Sequence, residues 1–116
     1  MTELAGRRPA RRASSSEATV TRAVWNGVVV AESPSTIVVE GNHYFPPESV
    51  RQEYLVESRH RSLCPWKGIA RYYTLQVGEH VNQDAAWYYP RPTFLARRIR
   101  NHVAFWNGVH IERHQP

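Results

Sequence analysis

Lysine is almost missing from this chain: of its fifteen Lys and Arg side chains, fourteen are arginine and one is Lys67. Cysteine is equally scarce, with Cys64 alone, so no internal disulfide can form and packing must hold the fold. No apolar run is long enough to cross a bilayer, and no cationic segment leads into a short apolar one, so neither a membrane helix nor a secretory signal is expected. There is no Gly-rich phosphate loop ending in Lys-Ser/Thr, no Gly-x-Gly-x-x-Gly, no Gly-x-Ser-x-Gly and no closely spaced acidic pair. Those absences remove the common nucleotide-binding and hydrolase readings. His43, His60, His80, His102, His110 and His114 lack the spacing of metal ligands, so no metal and no cofactor is expected. These properties together read as a soluble cytoplasmic protein.

What is present fits one domain. A length of 116 residues accommodates a single core, and a 41% hydrophobic content with four Trp, six Tyr and three Phe is enough to fill it. Net charge is +5, but Arg7, Arg8, Arg11 and Arg12 against Glu3 put +3 of it in the first sixteen residues, so the remainder carries only +2. Residues 1–19 are therefore expected to be a solvated Arg/Ser-rich leader, and residues 20–116 one folded domain. A high pI raises nucleic acid as a partner. That reading is disfavoured, because the charge sits in the leader and in a patch of Arg91, Arg97, Arg98 and Arg100 that reads as a solvated face.

Turn signals divide the rest. Asn26-Gly27 between Ala23–Trp25 and Val28–Ala31 predicts a tight hairpin, and Gly41-Asn42 between "STIVVE" and "HYFP" predicts a second. Pro47, Glu48, Val50 and Tyr54 fit a short helix. "IARYYTLQV" alternates as a strand with Ile69, Tyr73, Leu75 and Val77 on one side; "GEHVNQD" reads as a loop, and "AAWYYP" as a strand closed by Pro90. From Pro92, the spacing of Leu95, Ile99, His102 and Val103 predicts an amphipathic helix. "VAFWNGVHIER" predicts a closing hairpin that echoes residues 25–28. Eight short strands and two short helices make a mainly antiparallel β domain.

The one lysine lies in "CPWKG", residues 64–68. Pro65 bars regular ladder bonding and Gly68 permits a bend before the next strand, so the tetrad should be presented on a loop anchored in a sheet. A thiolate beside a cation is a better nucleophile, and a lysine buried among aromatics could serve as a base. A packed cysteine and a snorkelling lysine stacked on Trp66 would explain the same residues. Around them stand aromatic clusters, Tyr44-Phe45, Tyr72-Tyr73 and Trp87-Tyr88-Tyr89. Neighbours in a strand point to opposite faces, so half of these rings face away from any one side of the sheet and could line a ligand site.

Taken in order, "HYFPPESV", "CPWKGIARYY", "AWYYPRP" and "HVAFW" resemble the domain-of-unknown-function family 427, sometimes labelled nucleotidyltransferase-like, over about residues 20 to 113. Cys64, Pro65, Lys67, Gly68, Ala70 and Tyr72 match its most specific pattern; Tyr44-Phe45-Pro46, Ala86-Trp87, Tyr89-Pro90 and Phe105 support it. Where many members have Tyr-Trp, this chain has Tyr72-Tyr73. The resemblance implies a β-tent, two antiparallel sheets meeting at an angle, with a cleft between them. Many relatives of that architecture hold zinc through two Cys-x-x-Cys pairs, which a single cysteine does not permit. The combined expectation is a small-molecule-binding domain: Lys67, Cys64 and Tyr44 carry any chemistry, and Tyr72, Trp87, Tyr89 and Trp66 contact the ligand. The alternatives are a small-metabolite enzyme using Lys67 or Cys64 in the same cleft and, last, nucleic-acid binding through the leader.

Overall fold

A computed structural model describes residues 19–115; the expected leader lies outside the described residues except for Thr19. The described chain forms nine strands: β1 Val20–Trp25, β2 Val28–Ser33, β3 Ile37–Val39, β4 Asn42–Tyr44, β5 Leu55–Cys64, β6 Gly68–Val77, β7 His80–Tyr88, β8 Val103–Phe105 and β9 His110–His114. They pair antiparallel in three sheets, ordered β2-β1-β9, β3-β4 and β5-β6-β7-β8. The protein is mainly β, as expected. Phe45 and Val103 exchange backbone hydrogen bonds of 2.8 and 2.9 Å, which join the β3–β4 hairpin to the free edge of β8.

Neither expected helix forms. Residues 47–54 make two 3-10 turns, Pro47–Ser49 and Gln52–Tyr54. Val50 between them is extended and bridges Ala31, and the Arg51 amide donates to Val30 O at 2.9 Å. Tertiary pairing with β2 thus takes the backbone groups a helix would need. Phe94–Ile99 is likewise 3-10, kinked at Ala96, with Ala96 and Ile99 buried but Leu95 75% exposed, so the expected helical face does not exist. Its flanks are tied to the sheet by Thr93 N to Lys67 O and Asn101 N to Tyr89 O, both 3.0 Å. The fixed span favours the tighter turn.

The hairpins also differ in detail from expectation. The second turn is Glu40-Gly41, both at positive φ (54° and 81°), one residue before the expected Gly41-Asn42. The loop expected over "GEHVNQD" shrinks to Gly78-Glu79, and His80–Asp84 continues β7. Strand β5 was not expected at all. Its Glu57, Arg59, His60 and Arg61 are exposed, as suits an edge strand, and they hide any apolar alternation. The closing hairpin does not form either: β8 pairs with β7 whereas β9 pairs with β1, so Asn107-Gly108 passes the chain from one sheet to another.

Alternation along the strands sorts the aromatic clusters. Phe45, Tyr73, Tyr88 and Phe105 join one core with Val30, Ala31 and Leu75, while Tyr44, Tyr72, Trp87 and Tyr89 join a second with Ala70, Ile99 and Ala104. Both faces of β6 and β7 are therefore covered at the aromatic rungs. Ile69, expected on the side of Tyr73 and Leu75, is 54% exposed, since its rung lies beyond the end of that core.

Candidate functional site

Pro65–Lys67 forms the turn that closes β5 onto β6, with Cys64 paired to Gly68 and the Lys67 amide donating to Cys64 O at 3.2 Å. Gly68 has φ +117°, and a Cβ there would stand 3.2 Å from Arg91 O and 3.4 Å from the Pro92 Cα. Only glycine lets the turn lie this close to residues 91–93. Thr93 fastens it, its amide donating to Lys67 O and its hydroxyl to Trp66 O. This strapping turns Lys67 inward, and the residue is only 6% exposed.

A buried ammonium needs a partner. Glu40 supplies it from the β3–β4 turn: one carboxylate oxygen accepts from Lys67 Nζ, and the other accepts from Trp66 Nε1 at 3.1 Å. The hydrogen bond from Lys67, then that from Trp66, hold the Glu40 carboxyl below its ordinary value against a small opposing effect of burial. For Lys67, burial pushes the pKa down, but the Glu40 hydrogen bond and nearby tyrosine oxygens outweigh it and the net direction is up. The amine stays an ammonium at neutral pH. Its Nζ also lies 5.0 Å from the Trp66 ring centroid and 5.9 Å from that of Tyr89.

Above the ammonium is a cavity of about 200 Å3 lined by Asn42 and Tyr44 of β4, Lys67, Tyr72 of β6, Trp87 of β7, Tyr89 and Trp106. Its walls are held edge to face: Tyr44 meets Trp87 at 6.2 Å and 89°, and Trp87 meets Trp106 at 6.4 Å and 86°. Trp87 Nε1 donates to the Tyr44 hydroxyl at 3.2 Å, and Trp106 Nε1 donates to Asp84 O at 2.6 Å. Tyr72 shares a 2.8 Å hydrogen bond with Ser62 and lies against the His60 ring at 4.5 Å. Burial pushes the Tyr44 phenol up and takes Tyr89 to about 12 in spite of the Lys67 charge. Both hydroxyls therefore remain protonated at neutral pH.

Of the residues singled out in the sequence, Lys67, Tyr44, Tyr72, Trp87 and Tyr89 meet around this cavity. Cys64 and Trp66 do not line it. Cys64 is half-buried against the core that contains Tyr44 and Tyr89. Burial pushes its thiol up, but the Lys67 and Trp66 amides and the Lys67 charge together bring it below the ordinary value. Trp66 instead borders a separate hollow with Val38, Val39 and Leu95. Sequence reasoning missed Glu40, Asn42 and Trp106. Glu40 left a faint signal, as a glutamate standing at the positive-φ position where a tight turn ordinarily has Asn or Asp.

Among the described residues no three His, Cys, Asp or Glu side chains gather as a metal site, and no helix is long and apolar enough to cross a membrane. Fold and site together define a mainly antiparallel β domain with a buried, ion-paired lysine at the base of an aromatic cluster. The chain belongs to the family described as Domain of unknown function (DUF427), whose model matches residues 12–115. No curated protein matches it.

Proposed function

We propose that this protein binds a small planar ligand carrying a carboxylate or carbonyl group, with Lys67 as its polar anchor. The supporting observation is the Lys67 ammonium itself, buried, bordering the cavity and paired with a single carboxylate. An ammonium has three donors, so those not directed to Glu40 remain for an acceptor on a ligand. The rings offer stacking and edge contacts, while Asn42 and the protonated Tyr44 and Tyr89 hydroxyls add neutral hydrogen-bonding groups. A volume of about 200 Å3 is below the usual range of drug-sized sites, which favours a ligand of one or two rings.

Binding is favoured over turnover. A general base must shed its proton, and the Glu40 pair raises the Lys67 pKa instead. Cys64 has a lowered pKa but lies off the cavity wall, so the enzymatic alternative lacks a nucleophile facing the same ligand. A cytoplasmic setting belongs to the same reading. Nucleic-acid binding through the leader ranks last, and its residues 1–18 lie outside the described structure.

Benzoate, benzamide and trimethylanilinium are matched probes of similar size. Titration followed by Trp87 and Trp106 fluorescence should rank benzoate first, benzamide second and the cation last. A preference for trimethylanilinium would overturn the lysine-anchored reading.

A further inference from the structure

The opposite face of the β5–β6 hairpin carries a second arrangement that the Lys67 cavity does not use. Arg61 and Arg71 are direct cross-strand partners, and two residues nearer the turn on each strand stand Leu63 and Ile69, 73% and 54% exposed. Like charges placed directly opposite one another destabilise a sheet, and a paired apolar rung left in water gains nothing from its burial potential. Arg91, from the segment strapped against Gly68, completes the set. Arg61, Gly68, Ile69, Arg71, Pro90 and Arg91 line one groove of about 540 Å3.

The charges of this groove are poorly balanced. Among the described residues no carboxylate stands within ion-pair distance of Arg61 or Arg91. Arg71 reaches Glu57 only at 3.9 Å, and Glu57 also accepts a hydrogen bond of 2.9 Å from the Tyr88 hydroxyl. Arg71 Nε is buried and has no hydrogen-bond partner among the described residues. The Arg61 guanidinium donates to Arg59 O at 3.1 Å, a neutral acceptor that does not offset its charge.

We propose that this groove is a binding site for a small organic oxyanion, a phosphate monoester bearing an apolar or aromatic group. A dianion between the opposed arginines converts a repulsive rung into a bridged one, and guanidinium groups meet phosphate oxygens in paired, charge-assisted hydrogen bonds. Ile69 and Pro90 supply the apolar surface for the rest of the molecule. The three arginines converge on one cavity rather than tracking a line, which favours a discrete ligand over a nucleic-acid backbone. The site is separate from the Lys67 cavity because Arg71 and Tyr72, neighbours in β6, face opposite sides of the sheet.

The test is a titration of the isotopically labelled full chain with phenyl phosphate, read from the amide resonances of Gly68, Ile69 and Arg71. Inorganic phosphate and phenol are the separated halves of the probe. Phenyl phosphate should bind about tenfold or more tightly than either half, and the double variant Arg61→Gln/Arg91→Gln should lose about tenfold or more of that affinity. Both substituted side chains are exposed, so the fold should survive. Lys67→Met should leave phenyl phosphate binding unchanged, which separates this site from the benzoate site. A second readout is thermal: without phosphate Arg61→Gln should melt higher than the parent, and phenyl phosphate should raise the melting temperature of the parent but not of the double variant. Equal affinity in parent and double variant would overturn the proposal. So would an absence of shifts at those amides, or arginine-dependent binding of a single-stranded oligonucleotide or anionic vesicles where phenyl phosphate does not bind.

Discussion

The two faces of the β5–β6 hairpin treat positive charge in opposite ways. On one, the single lysine is buried and matched by Glu40 under a roof of hydrogen-bonded aromatic rings. On the other, arginines are set against each other on a surface that includes exposed Leu63 and Ile69. The contrast follows from cost. A buried ammonium without a partner is penalised by several kcal/mol, so the first face is closed and balanced; guanidinium groups near water tolerate an imbalance at roughly 0.2–1 kcal/mol. A balanced cation orients a ligand through spare donors, whereas an unbalanced set attracts one through net charge.

The substitution with the largest expected effect removes the residue on which both faces depend. Gly68→Ala forces a Cβ toward Arg91 O at a φ of +117°, and should lower stability by about 2–3 kcal/mol in chemical denaturation while weakening binding of both benzoate and phenyl phosphate. An alanine variant as stable as the parent would show that the strap to residues 91–93 does not hold the turn. Lys67→Met sharpens the comparison by touching one face. Methionine keeps the packed stem and frees a half-exposed Glu40 to water, so stability should change by less than about 1 kcal/mol while benzoate affinity falls about tenfold or more. Lys67→Arg should restore only part of the affinity, because a longer planar group does not fit the same ion pair.

Acidity separates the faces further. The folded-state pKa of Glu40 lies below its unfolded value, so its contribution to stability is complete above the ordinary carboxylate range and is lost as pH falls through the lowered value. Lys67 has its pKa raised, so its contribution is complete below the ordinary lysine range and is lost as pH rises through the raised value. Glu40→Gln should therefore flatten the acid limb of a stability–pH profile and lower the Lys67 pKa measured by NMR. An unchanged acid limb would mean that the pair contributes nothing in solution. The smallest effect belongs to the open face: at low salt, Arg61→Gln should stabilise the ligand-free protein by roughly 0.2–1 kcal/mol, a gain that salt should erase.

Much of the site was legible in the sequence because its signals are local. Pro65 and Gly68 marked the turn, and strand alternation implied that paired aromatics would be split between faces; the structure has both. A lone lysine among arginines drew attention to Lys67, which the structure buries beside those rings. Glu40 was not legible as the partner, since twenty-seven positions separate it from Lys67 and only the docking of one hairpin beside another brings the two together. The expected helices failed for a related reason. Val50 and Ile99 have helical spacing to their neighbours, but β2 in one case and Tyr89 with Lys67 in the other capture the backbone around them.

The two Trp-Asn-Gly-Val segments mark the boundary most clearly. At both, the sequence alone determined a turn: Asn26 and Gly27 have φ of 54° and 76°, Asn107 and Gly108 have 55° and 90°, because side-chain sterics at these residue types set the backbone whatever lies around it. Which strands each turn would connect was decided only in three dimensions. The first closes β1 onto β2 in one sheet. After the second, β9 leaves β8 and pairs with β1, while Trp106 stays behind with its amide on Ala85 O and its ring in the wall of the Lys67 cavity. Backbone preference is a property of one or two residues, but a strand's partner depends on which edge is unpaired and which apolar faces must be buried, and both are properties of the assembled chain.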